Sequence, residues 1–146
     1  MKVVAVRNQK FLMASMLIVW VVSLFLPVVT VAIVGGPQLY DGLWVLTSGF
    51  LGPMILQFGW FANLLIIPAA IVVWRGRAAD RKSRLWLGLA FLCLAFNTMF
   101  WGSIADAVRD YPIIAWHVGY FAWMAAIVGM GVLLISSSRQ TDWTSS

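Results

Sequence analysis

Arg75-Gly76-Arg77-Ala78-Ala79-Asp80-Arg81-Lys82-Ser83-Arg84 sets five positive charges and one acid between two long apolar runs. A charge needs water, so this stretch marks a place where the chain leaves a bilayer, and an excess of Lys and Arg marks the cytoplasmic side. Working outward, nine of the ten Lys and Arg residues fall in three places: the first ten residues, 75–84, and the tail after Ile135. Between them lie four apolar runs. The chain is 62% hydrophobic and 10% charged, far from the composition of an ordinary globular domain.

The pattern predicts an all-α integral membrane protein, a four-transmembrane-helix bundle with both termini cytoplasmic, occupying the whole chain as one membrane domain. The expected spans are 11–34, 51–74, 85–104 and 113–135. The first exceeds the ~20 residues that a span needs, so tilt or a bend at Pro27 is expected, followed by a stop at Gly35-Gly36-Pro37. It is also longer than the roughly 7–15 residues of a signal-peptide core, so it is expected to remain as an anchor. Pro53 falls in the first turn of the second span, where a missing N–H costs little, whereas Pro68 falls inside it and loosens it locally.

On this topology nine Lys/Arg lie inside and one outside, and three of the five acids lie outside. That bias orients the chain in an inner membrane with both ends inside and 75–84 meeting anionic lipid headgroups. The net charge of +5 therefore points to lipid rather than to nucleic acid. Trp74 and Trp86 flank the inner loop. Tyr40, Trp44, Trp101, Tyr111 and Trp116 form an outer aromatic belt, and 43–46 is suited to lie along the surface. Trp20, Trp60 and Trp123 fall deeper and read as bulk packing or lipid contact. Cys93, without a partner for a disulfide or metal site, reads as packing. The segment 57–63 echoes 117–123 weakly, as two duplicated hairpins or a shared small alphabet would.

Polar residues inside hydrocarbon are costly and so informative. At ~1.5 Å per residue, Asn63 lies about 16 Å from the inner end of its helix, and Asn97 and Ser23 about 18 Å from theirs. This middle layer is either a substrate or ion site, or a set of interhelical hydrogen bonds in which Asn63 and Asn97 hold two helices in register; the lack of a charge at that depth favours the second. A layer nearer the outside holds Thr30, Gln57, Ser103 and His117, with Asp106, Arg109 and Asp110 in the loop above and Asp41 in the other outer loop. His117 is the single histidine, the residue type that most often serves as a pH switch. Acid–base or proton-linked work by Asp106, Arg109, Asp110 and His117 stands against a solvated loop in which Asp and Arg pair and His117 bonds Gln57 or water. The absence of motif spacing favours the solvated loop.

The chain has no Glu, and no G-x-S-x-G, phosphate-binding loop or Cys-x-x-Cys. One His and one Cys at different depths give no ligand set for a cofactor or a metal, and none is expected. Ser23-Leu24-Phe25-Leu26-Pro27, Tyr40-Asp41-Gly42-Leu43-Trp44-Val45-Leu46, Gly49-Phe50-Leu51-Gly52 and Phe58-Gly59-Trp60-Phe61-Ala62-Asn63 together resemble a widespread group of small four-span bacterial membrane proteins. The likeness covers roughly the first half. It departs in the loop, where Trp44 follows Leu43 rather than Gly42. It implies topology and a bacterial origin, and brings no activity with it.

Two functions fit. The first is a non-enzymatic protein that binds a membrane partner through its helix faces, with Asp41, Asp106 and Arg109 in the outer loops. An immunity-type protein neutralising a pore-forming or membrane-targeting toxin is its sharpest form. The alternative is a homo-oligomeric small transporter or channel subunit with Asn63, Asn97 and His117 along the route. A membrane enzyme using Asp106, Asp110 and His117 comes third.

Overall fold

The computed structural model describes residues 2–76, 80–105 and 110–139. Helix α1 spans Lys2–Ser23 and ends where the Ser23 hydroxyl turns back on the carbonyl of Trp20 (2.6 Å). Pro27 bars Leu26 from the helical region. The run Pro27–Ile33 that follows, Pro-Val-Val-Thr-Val-Ala-Ile, is rich in the β-branched side chains that suit a pleated surface and forms strand β1. Gly35 and Gly36 take positive φ (113° and 126°) at the hairpin, a conformation costly to residues with a Cβ. The chain then returns as β2, Gly36–Asp41.

Asp41 closes β2 and opens α2, Gly42–Ser48, by accepting the Trp44 N–H at 2.8 Å. A 3-10 segment, Gly49–Ile55, follows and stops at Leu56, which sits in the left-handed region (φ 59°). A second short 3-10 turn, Gly59–Phe61, leads into α3, Ala62–Trp74, which runs through Pro68 without interruption. Then come α4, Arg81–Thr98, the short strand β3, Ser103–Ala105, strand β4, Asp110–Trp116, and α5, Val118–Arg139.

The strands make one antiparallel sheet in the order β2-β1-β4-β3, with Thr30 opposite Ala115 and Val31 opposite Ile113. On the helical side α5 packs along α4 and α1, and α3 lies against α4. Phe91, Met13, Ile127, Met130 and Leu134 fill the helical core, together with Ala62 and Ala69. A second cluster, Val28, Val29, Val31 and Tyr120, joins the sheet to the start of α5.

The all-α four-helix bundle is thereby overturned: the described residues form a mixed α/β fold of five α-helices and a four-stranded sheet. The expected span 11–34 is the end of α1 plus β1, and the stretch 113–135 opens as strand β4 before α5 begins. The expected span 51–74 divides into 3-10 turns and α3, whose thirteen residues reach about 20 Å at ~1.5 Å each, short of a ~30 Å hydrocarbon core. The 85–104 span ends as helix at Thr98 and turns into β3. Among the described residues one helix, Val118–Ser138, has the length and apolarity to cross a membrane. Four crossings therefore no longer support the placement of both termini on one side. The physical reason is that hydropathy measures transfer from water and is blind to backbone period. Valine-rich strands and valine-rich helices score alike.

Candidate functional site

Asn63, in the first turn of α3, is a junction between three helices. Its Oδ1 accepts the indole N–H of Trp20 on α1 and of Trp123 on α5, each at 2.9 Å, while its Nδ2 donates to the Trp60 carbonyl at 2.9 Å. Trp20 and Trp123 are thus more than bulk packing, as each spends its one polar hydrogen on the same oxygen. Trp60 likewise donates its indole N–H to the Leu46 carbonyl at 2.7 Å. Asn97 does a different task. Its Oδ1 accepts from the backbone N–H groups of Phe58 (2.6 Å) and Gly59 (3.2 Å), and its Nδ2 donates to the Leu56 carbonyl (3.2 Å). One amide side chain so pins the whole turn before α3 onto α4.

His117 does not meet Gln57. Its Nε2 lies 2.7 Å from the Thr30 hydroxyl, and its backbone N–H donates to the Val28 carbonyl at 2.8 Å, stitching the start of α5 to β1. Asp41 is a helix cap, and Asp110, exposed, opens β4 opposite Ala105. Asp106 and Arg109 lie outside the described residues. The five described residues of the seven singled out in the sequence are therefore distributed, not convergent. Among the described residues no three His, Cys, Asp or Glu side chains come together as a metal site would require. Cys93 is exposed on α4 rather than packed.

At the other end of the helices Arg84 is 3% exposed, and among the described residues no carboxylate pairs with it. Its guanidinium donates to the Ser137 hydroxyl (3.0 Å), to the Val72 carbonyl (3.3 Å) and to the Gly76 carbonyl. Val72 lies in the last turn of α3 and Gly76 two residues beyond it, where a helix dipole favours a cation. Burial pushes the guanidinium below its ordinary pKa, because desolvation disfavours the charged form.

Where the helices meet the sheet there is a cavity of about 90 Å³ beneath α2 and the first 3-10 segment. Trp44, Trp60, Trp101, Trp123 and Tyr120 line it, and so does Gln57. Sequence reasoning placed Trp44 and Trp101 in an interfacial belt and missed that they face one space with Trp60 and Trp123. Close approach builds it: a Cβ on Gly49 would run into the Trp60 ring, and one on Gly59 into the Thr98 methyl. Gln57 donates its Nε2 to the Phe100 carbonyl at 3.1 Å, which fixes the amide, while its Oε1 is buried without a partner. The glycines are the one sequence signal for this cavity, and they do not say what they approach.

The outward faces of the helices are apolar. Phe11, Ile18, Ile67, Trp86, Phe96 and Phe121 are each more than half exposed. A second exposed group gathers on irregular backbone: Phe50 (57%), Met54 (71%) and Leu56 (72%), with Met99 and Phe100 at the end of α4. Compared with models of protein families, with curated proteins and with solved structures, the chain has no match. The functional reading rests on its own residues.

Proposed function

We propose that this chain is a non-enzymatic, lipid-embedded binding protein of a bacterial inner membrane, held there by α5, that offers the 50–58 segment and the end of α4 to a membrane partner. The observation that carries the reading is Leu56. A bulky residue in the left-handed region costs on the order of 1 kcal/mol, which Gly or Asn would avoid. Leu56 nevertheless points its side chain outward, 72% exposed. A strained backbone that presents an apolar side chain to the surroundings serves something beyond the chain's own packing. Met54, Phe50 and Phe100 extend the patch, and methionine adapts readily to a partner's surface.

Lipid supports the rest of the picture. Apolar side chains face outward from α1, α3, α4 and α5, while 75–84 carries the charge that anionic headgroups attract. Asn63 and Asn97, which a transporter would set along its route, have their amides engaged within the chain. This favours partner binding over conduction. The sharpest form is an immunity-type protein whose partner is a pore-forming or membrane-targeting toxin, and the likeness to small bacterial membrane proteins belongs to the same proposal.

The test is photo-crosslinking from single positions in native membranes. Crosslinkers at Met54 and Leu56 are expected to give one discrete adduct with a foreign protein, and Leu56→Asn to abolish it while the chain stays in the alkali-resistant membrane fraction. A crosslinker at Ile71, on the outer face of α3, is expected to give lipid adducts. If 54 and 56 yield adducts with lipid alone, or the chain washes out at alkaline pH, the reading is wrong. Adducts between copies of the chain shift it to self-association.

A further inference from the structure

We infer that the groove between α3 and α4 seats one anionic phospholipid, with its phosphate at Lys82 and Ser83 and an acyl chain along Leu87 and Ala90. This site depends on the lipid-embedded reading proposed above, and gives that surface one specific lipid. The groove is lined by Val72 of α3 and by Lys82, Ser83, Trp86, Leu87 and Ala90 of α4. Those α4 positions recur at the spacing of one helix face, so they form a single wall.

Polarity changes in order along that wall. Lys82 and Ser83 stand in the first turn of α4, both exposed. Trp86, 69% exposed, comes one turn further along, and Leu87, Ala90 and Val72 carry no polar side-chain atom. From Lys82 to Ala90 is about 12 Å at ~1.5 Å per residue. Charge, then an indole, then hydrocarbon is the order in which a phospholipid presents phosphate, interface and chain. An indole suits the middle position, because its ring is apolar and its N–H is a donor. Water is an ordinary occupant beside Lys82 and Ser83, but along Leu87 and Ala90 it finds no side-chain hydrogen-bond partner.

The charges at this end lack a counterpart. Arg81 and Lys82 stand at the positive end of the α4 dipole, where cations are disfavoured. The first turn holds no acid, and Asp80 at the cap makes no side-chain hydrogen bond to the helix. Neither the Lys82 ammonium nor the Ser83 hydroxyl bonds another described residue. A phosphate between them supplies the negative charge that this end is missing. A second copy of the chain docking by the same face would set like charges against each other, which opposes such a contact.

The experiment is native mass spectrometry of the full chain released from detergent micelles, titrated with phosphatidylglycerol or with phosphatidylcholine of the same acyl chains. One phosphatidylglycerol per chain is expected to saturate, with phosphatidylcholine retained more weakly. Lys82→Gln should weaken phosphatidylglycerol about fivefold, the upper end for an exposed ion pair, and leave phosphatidylcholine unchanged. Lys10→Gln removes the same charge outside the groove and should change neither. Ala90→Phe, which narrows the apolar end and keeps every charge, should lower retention of both lipids. Adducts that grow without a plateau, equal retention of the two lipids, or equal losses from Lys82→Gln and Lys10→Gln overturn the inference and leave a diffuse attraction of headgroups. Alkaline extraction of native membranes separates this failure from that of the underlying reading. A chain that stays in the membrane fraction without a saturable lipid loses the groove site alone, whereas a chain that washes out loses both.

Discussion

Asn63→Leu is the perturbation with the most to say about how this chain holds together. Leucine keeps the branched skeleton of asparagine, with bulkier methyl groups, but removes three hydrogen bonds: two indole N–H groups lose their shared acceptor and the Trp60 carbonyl loses a donor. Interhelical bonds in lipid run from ~0.6 to ~1.7 kcal/mol each, so three give a loss of about 2–5 kcal/mol. Because one oxygen serves both indoles, the loss is not additive with theirs. In a Trp20→Phe/Trp123→Phe background only the bond to Trp60 is left to lose, and the same substitution should cost about 1 kcal/mol. Denaturation in mixed micelles, followed by far-UV circular dichroism to avoid the changed tryptophan count, measures both. An Asn63→Leu cost below ~0.5 kcal/mol, or an equal cost in the two backgrounds, would falsify the three-helix junction.

Three further substitutions probe separate features. Leu56→Gly relieves the left-handed backbone and should raise stability by up to about 1 kcal/mol while removing the crosslinked adduct; a drop in stability would show that Leu56 packs within the chain. Gly59→Ala drives a Cβ into the Thr98 methyl and should cost about 1–3 kcal/mol by overpacking, and adding Thr98→Ser, which deletes that methyl and keeps the bond to Ala95, should restore most of it. No rescue in the thermal midpoint would mean that the contact is not the cause. Arg84→Met strips the cation from the end of α3 and should destabilise by roughly 1–3 kcal/mol, with Arg84→Lys between it and the parent, since lysine keeps the charge but not the fork that spans Ser137 and two carbonyls. An Arg84→Met chain as stable as the parent would mean that the cost of burying the charge cancels its bonds.

Some of this was legible in the residues. Asn63 and Asn97 stand in runs where an unpaired amide is expensive, and in both the oxygen and the nitrogen of the amide are hydrogen-bonded within the chain, though not to each other. The strands were legible in principle: Pro27 before Val-Val-Thr-Val, and Pro112 before Ile-Ile, are strand signals. Averaged apolarity outweighed them, because it sums transfer free energies and ignores backbone period. His117 and Thr30 are 87 positions apart, and nothing local announces their 2.7 Å contact. Asp41 was readable as a cap from Asp-Gly-Leu-Trp, since a carboxylate before a short apolar helix meets the free N–H groups there.

What the sequence by itself determined is how charge and apolarity are distributed along the chain: basic clusters in the first ten residues, at 75–84 and after Ile135, with apolar runs between. Those properties are additive over residues and need no coordinates. Only the tertiary structure decided that the end of the first run and the start of the last fold into a sheet, that two tryptophans from different helices share one asparagine oxygen, and that four tryptophans line one cavity. Each of these depends on the relative placement of groups dozens of residues apart. Hydrogen bonds and cavities are short-ranged and directional, so no sum along the chain contains them.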